Sequence, residues 1–242
     1  MRPVAIIQAR CGSTRLPGKV LKALAGHTVL YYAIRRCQLS RSLGDVVVAT
    51  TTEPADDAIE SYCRELAVPV FRGSQEDVLL RYVEAAAWSH ADPIVRITSD
   101  CPLIEPAIID QVVQSYTDTR ADYAFIEGYP RGTGDAEVMT LAALQRSLAE
   151  TGPKDVGYRE HVMTYLTDHP EKFRLQITAA PGAIRALGLR LCVDQAEDLD
   201  LVRAICAHFT PRIDFRLDET MAFLAENPHI AILNQTVAQK HE

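Results

Sequence analysis

Short apolar runs alternate along this chain with stretches whose apolar residues recur every three or four positions. Residues 4–8 (VAIIQ) read as a buried strand, as do 45–51 (DVVVATT), 68–73 (VPVFRG) and 93–98 (PIVRIT). Between them, Leu30, Ala33, Ile34 and Cys37 mark one helix face over residues 29–38, with Thr28 placed to cap it. Ile59, Tyr62, Cys63 and Leu66 mark a second. Ser74 and Asp77 resemble a capping box that opens a third helix through about Ser89, facing inward with Leu79, Tyr82, Val83 and Ala86. Pro106 starts a fourth, with Ile109, Val112, Val113 and Tyr116 on one side. This alternation of strand and helix predicts an α/β fold: a doubly wound, mostly parallel sheet with helices on both faces.

The pattern loosens after Tyr123. Residues 127–134 (EGYPRGTG) form a glycine-rich loop and 137–140 a strand. Residues 141–149 and 158–168 read as helices, and 173–178 as another strand. LRLCV (189–193) predicts a final core strand, followed by a helix at 197–209 with Val202, Cys206 and Phe209 inward. We expect one domain over 1–242, with an excursion at about 123–180 carrying the parts specific to the substrate.

With 242 residues and 48% hydrophobic content, the chain can bury a substantial core. Its net charge of −7 argues against a nucleic-acid surface, which needs a broad basic face. The six cysteines are scattered without a CxxC pair, so disulfides and structural zinc are not expected and a reducing cytoplasm fits. No signal-peptide pattern opens the chain, and no run approaches the roughly 20 apolar residues of a membrane span.

Within this acidic chain, IIQARCGSTRLPGKVL (6–21) stands out. Arg10, Arg15 and Lys19 flank Gly12 and Gly18, with Ser13 and Thr14 between them, directly after the first strand. Open α/β sheets bind ligands at that edge. Backbone amides near Gly12 and Ser13 suit phosphate oxygens, and the three cations suit a triphosphate and a departing pyrophosphate. The loop is not a Walker A motif: five residues, not four, separate Gly12 from Gly18, and Val20 rather than Ser or Thr follows Lys19. A dinucleotide fingerprint also fails, because Gly132 and Gly134 lack a third glycine at the required spacing.

Two aspartates are expected at the same sheet edge: Asp100, just past the strand in VRITSDCPLIEP, and Asp194 in LRLCVDQAEDL. Each has a plain local alternative, a turn former for Asp100 and a helix cap for Asp194. Together they suit magnesium, which takes one or two carboxylates plus phosphate oxygens and water.

In order and spacing, IIQARCGSTRLPGKVL, VVVATT, VFRGSQEDVLLRY, VRITSDCPLIEP, REHV and VDQAEDL resemble the SpsF-like (spore coat polysaccharide biosynthesis) cytidylyltransferases. That family is related to the CMP-KDO and CMP-sialic acid synthetases. The resemblance implies a nucleotide-diphospho-sugar transferase fold and Mg2+-dependent transfer of CMP from CTP to an anionic sugar-like acceptor. Arg10, Gly12, Ser13, Arg15 and Lys19 match the triphosphate set, Asp100 and Asp194 the magnesium ligands, and Arg72 and Ser74 the nucleotide pocket. Asp135, Glu137, Arg159, Glu160 and His161 fall where such enzymes meet the acceptor; a homodimer through the 123–180 excursion is also implied.

Three departures stand out: Cys11 where methionine is usual, Ser99 where glycine is common, and one extra residue in GTGDAE. Two other functions stay open at this point. One is a metal-dependent glycosyltransferase using a DxD pair, for which DLD (198–200) has the spacing, although solvated helix carboxylates are the plainer reading. The other is a nucleotide sensor without catalysis. Cys11, Cys101 and Cys192 each adjoin a proposed site motif, so thiol alkylation is expected to inhibit and CTP to protect.

Overall fold

The computed structural model describes residues 2–185 and 188–237. In chain order its first half comprises β1 (Val4–Gln8), a 3-10 turn (Lys19–Leu21), the short hairpin β2 (Ala23–Leu24) and β3 (His27–Thr28), α1 (Val29–Gln38), β4 (Asp45–Thr51), α2 (Asp57–Glu65), β5 (Val70–Gly73), α3 (Val78–Ser89), β6 (Ile94–Thr98) and α4 (Pro106–Thr119). The second half comprises β7 (Tyr123–Glu127), β8 (Glu137–Met139), α5 (Leu141–Glu150), α6 (Val156–Glu160), α7 (Thr164–Asp168), β9 (Leu175–Ala179), α8 (Gly182–Arg185), α9 (Ala196–Phe209), α10 (Leu217–Glu226) and α11 (Pro228–Ala231).

Seven strands form one sheet in the order β5-β4-β1-β6-β8-β7-β9. All neighbours run parallel except β8, which is antiparallel to both β6 and β7. The fold is thus the expected doubly wound, mostly parallel α/β sheet. The period-two alternation of a strand divides β1 between two cores. Ala5 and Ile7 pack with α1, α4 and α9, whereas Val4 and Ile6 pack with Val78, Leu79 and Tyr82 of α3. Gln8 continues the second set, which places its side chain on the α3 face at the carboxyl edge.

The local signals of the first half match the observed elements. Thr28 caps α1 by accepting from the Tyr31 amide, and Pro106 occupies the first turn of α4. At α3 the cap is one turn later than the sequence predicts. Asp77 accepts from the Leu80 amide, while the Ser74 hydroxyl accepts from Asp77 N–H, so the two residues form a turn before the helix.

The second half differs more. Residues 123–179 contribute three strands, β7, β8 and β9, to the central sheet itself. The helix expected at 158–168 is two short helices, α6 and α7, because the chain turns extended at His161. LRLCV is not a strand. It crosses the carboxyl ends of the sheet, where Leu191 N–H donates to Arg131 O and Val193 N–H to Asp100 O. Leu191 and Val193 are fully buried there, so its apolar alternation is real although its partners are loops. Among the described residues no helix is long and apolar enough to cross a membrane.

Candidate nucleotide site

At the carboxyl edge the ends of β1, β6, β7 and β8, with α3 and the α6–α7 turn, enclose a cavity of about 760 Å³. Its walls include Arg10, Gly12, Ser13, Arg15, Lys19, Asp100, Asp135, Glu137, Glu160, His161 and Asp194. The structure therefore brings together eleven of the fourteen residues singled out from the sequence.

The basic loop is pinned at both ends. Asp56, 2% exposed, accepts from the Cys11 amide at 2.7 Å with one oxygen and from the Thr51 hydroxyl with the other. At the far end Gly18 N–H donates to Cys11 O across the loop's neck, and Gly18 adopts φ 66°, a conformation glycine takes without steric cost. Ser13 N–H is spent on Cys11 O, so this amide is not aimed at a ligand, contrary to the sequence expectation. Gly12 has open space where a Cβ would stand.

The centre of the site is a cation between two carboxylates. Lys19 Nζ lies 2.6 Å from Asp100 Oδ2 and 2.8 Å from Asp194 Oδ1. Burial opposes the lysine's charge, but the two carboxylates outweigh it and hold its pKa above the ordinary value. Burial likewise opposes the Asp194 carboxylate, yet Lys19, Arg190 and Arg15 together bring it down to about 2. Arg15 Nη2 approaches Asp194 Oδ1 at 3.0 Å, and Arg190 Nη2 takes Oδ2 at 2.5 Å. Asp194 is not the cap of α9; Gln195 is, in a capping box with Asp198.

A second, largely buried group forms another wall. Arg96 Nη1 donates to Glu137 Oε2, and Tyr123 Oη donates to Glu137 Oε1 at 2.8 Å. Both Glu137 oxygens are thus engaged by protein. Burial opposes the Arg96 charge and Glu137 restores it, leaving the guanidinium firmly protonated. Nearby, burial raises the Asp135 carboxyl to about 6, against the lowering effect of the Gly132 N–H it accepts from.

Three expected residues do not reach the cavity. Arg72 turns outward, where Nη1 pairs with Asp57 and Glu60 at 2.7 and 2.8 Å and Nε and Nη2 donate to Thr51 O and Glu53 O. Ser74 is spent on the turn before α3. Arg159 pairs with Asp77 at 2.9 Å and donates to Thr151 O, tying α6 to the start of α3 and so setting Glu160 and His161 at the cavity rim. Of the three cysteines, Cys101 and Cys192 line the cavity and Cys11 does not. Burial pushes all three thiols up, Cys11 to about 11, so they hold little thiolate at neutral pH.

Several cavity residues escaped the sequence reading: Arg81 on α3, Arg96 in the middle of β6, and Phe125 and Arg131. A charged residue between apolar neighbours in IVRIT was the available signal for Arg96. The DLD pair is not a ligand set. Asp198 is fully buried on Arg190, whereas Asp200 is exposed and pairs with Arg203.

Asp100 Oδ2 and Asp194 Oδ1 converge on a single point, and both are hard oxygen donors. Among the described residues no group of three or more His, Cys, Asp or Glu is placed to hold a metal alone. This donor set fits a divalent ion whose shell is completed by phosphate oxygens.

A pinned basic loop facing paired carboxylates, at the carboxyl edge of a doubly wound sheet, is the layout of a nucleotide-binding α/β protein. The chain belongs to the cytidylyltransferase family, whose model matches residues 4–230. It is 35% identical over 230 residues to the spore coat polysaccharide biosynthesis protein SpsF of Bacillus subtilis, covering 93% of this chain and 95% of that one. A solved cytidylyltransferase from Leptospira borgpetersenii superposes with a TM-score of 0.86 at 32% identity, covering both chains in full. The fold is also that of a CMP:2-keto-3-deoxy-manno-octonic acid synthetase solved with CTP, at a TM-score of 0.63 and 20% identity over 86% of this chain and 99% of that one.

Proposed function

We propose that this protein transfers CMP from CTP to an anionic sugar-like acceptor, releasing pyrophosphate, in the synthesis of a surface polysaccharide. The observation that carries this reading is the convergence of Lys19, Asp100 and Asp194 beneath the basic loop. Family membership and the similarity to SpsF support it.

An acceptor oxygen attacks the α-phosphorus of CTP, and the bond from that phosphorus to the β-phosphate oxygen breaks. The electron pair leaves with pyrophosphate. Arg10, Arg15 and Lys19 neutralise the β- and γ-phosphates as charge develops, carried on a loop pinned at Cys11 and Gly18. Asp100 Oδ2 and Asp194 Oδ1 would hold Mg2+, which supplies charge neutralisation across the phosphate oxygens. When the polyphosphate draws Lys19 and Arg15 away, these two oxygens are released to do so. Asp135, Glu160 and His161 face the acceptor. Glu137 acts on it indirectly, by fixing Arg96. A phosphate acceptor is already ionised, so positioning supplies most of the effect. The 123–180 segment is also the proposed homodimer contact.

Pyrophosphate release measured with each of the four NTPs, Mg2+ and a panel of sugar phosphates and sugar acids tests the reading. Turnover confined to CTP with an anionic sugar is expected. No CTP-dependent release with any member of the panel refutes it.

A further inference from the structure

We propose that Asp198 and Asn234 are positioning residues that make Asp194 present one oxygen, Oδ1, to the cavity. The proposal rests on the reading of Asp194 as a metal ligand. Arg190 is the intermediary. Its Nε and Nη2 edge grips Asp198 in a fork, at 3.0 Å to Oδ1 and 3.3 Å to Oδ2, and the same Nη2 reaches Asp194 Oδ2. With its Nε and Nη2 drawn to Asp198, Arg190 meets Asp194 through Nη2 alone, at Oδ2, and Oδ1 is left facing Lys19 and Arg15.

Asp198 makes more contacts than its helix needs. A residue at the third position of a helix completes a capping box with one backbone bond. Asp198 Oδ2 instead accepts from both the Asp194 and Gln195 amides at 3.0 Å, fixing the backbone of the ligand residue as well. Its Oδ1 accepts from Asn234 Nδ2 at 2.8 Å, and the same amide nitrogen donates to Arg190 O at 2.9 Å. Asp198 is 0% exposed and Asn234 7% exposed, so water does not substitute for these partners. The chain is therefore Asn234 to Asp198 to Arg190 to Asp194, every link a hydrogen bond and every member buried. Bidentate arginine–carboxylate pairs impose geometry as well as energy, which is what orienting a ligand oxygen requires.

Without the Asp198 charge, the Arg190 fork is free to close on both oxygens of Asp194 and withdraw Oδ1 from the cavity. Partners one shell out from a metal ligand typically set metal affinity by about 10–100-fold.

The test is CTP affinity measured by calorimetry on the full chain, in EDTA and in Mg2+, for the wild type, Asp198→Asn and Asn234→Leu. The readout is the gain in affinity that Mg2+ brings. Asp198→Asn keeps a backbone acceptor for the cap. It is expected to bind CTP normally in EDTA and to lose about 10–100-fold of the Mg2+ gain. Asn234→Leu, which leaves every charge in place, is expected to show a smaller loss in the same direction. A wild-type Mg2+ gain in both variants overturns the proposal and leaves the metal reading intact. So does an equal loss in EDTA and Mg2+, since Asp198 is then only a fold element. A wild type with no Mg2+ gain overturns the metal reading, and this proposal with it.

Discussion

Lys19 Nζ and Asp194 Oδ1 meet at 2.8 Å although 175 positions separate them in the chain, and the same nitrogen binds Asp100. The ammonium thus occupies the point on which both carboxylates converge, and a divalent cation must compete with it there. A charge-assisted hydrogen bond contributes about 1.5–3 kcal/mol, so Lys19→Met should raise nucleotide-free Mn2+ affinity about tenfold or more. CTP affinity should fall in the same variant. Paramagnetic titration with Mn2+, with and without CTP, checks both outcomes; unchanged Mn2+ binding would contradict the competition.

Asp56 should act on the nucleotide and not on the acceptor. Its two oxygens hold Cys11 N–H and the Thr51 hydroxyl. Asp56→Ala leaves these donors unpaired, at about 1–3 kcal/mol for each buried group. We expect lower stability in urea and a higher KM for CTP, with the acceptor KM unchanged.

Arg96 and Glu137 form a largely buried pair, 11% and 8% exposed at their side chains, and removing one member leaves the other's charge uncompensated. Arg96→Met should cost about 3–5 kcal/mol in urea unfolding. The double variant Arg96→Met/Glu137→Leu should recover much of that stability while still failing to turn over acceptor. A double variant no more stable than the single would show that the pair does not account for the loss.

Asp135 makes stability depend on pH with a definite sign. Its folded pKa, about 6, lies above the ordinary 3.8. Between those values the unfolded chain has released the proton while the folded protein still holds it. Its contribution to stability is therefore full below pH 3.8, declines as pH rises through about 6, and is constant above. Asp135→Asn, which keeps an acceptor for Gly132 N–H, should flatten that decline. Denaturant midpoints from pH 4 to 7 for both proteins provide the check.

The first half of the fold was legible because its central strands are buried on both faces and read as unbroken apolar runs, DVVVATT above all. The basic loop and Asp100 follow such strands directly, so their placement came with them. LRLCV carries the same signal and is equally buried, yet it bonds to loop carbonyls; burial shows in a sequence, the hydrogen-bonding partner does not. Arg72 and Arg81 illustrate the same limit. Arg72 lies in β5 and Arg81 in the first turn of α3, but α2 supplies carboxylates that turn Arg72 away, while Arg81 donates to Ser74 O and lines the cavity. Nothing in DLD separates Asp198 from Asp200 except the side of α9 each occupies, and only the position of Arg190 reveals it.

The network that ends at Asn234 also orders assembly in time. As the chain is synthesised, the basic loop emerges first and Asp100 midway, both able to settle on an early sheet core. Their counter-charge Asp194 is set only after residue 234 has emerged to close over Arg190 and Asp198. Contacts of such long sequence separation form late and slowly. A nascent chain therefore carries its cationic loop with Asp100 in reach but Asp194 still to come, and the pocket reaches its charge balance only after residue 234 has emerged.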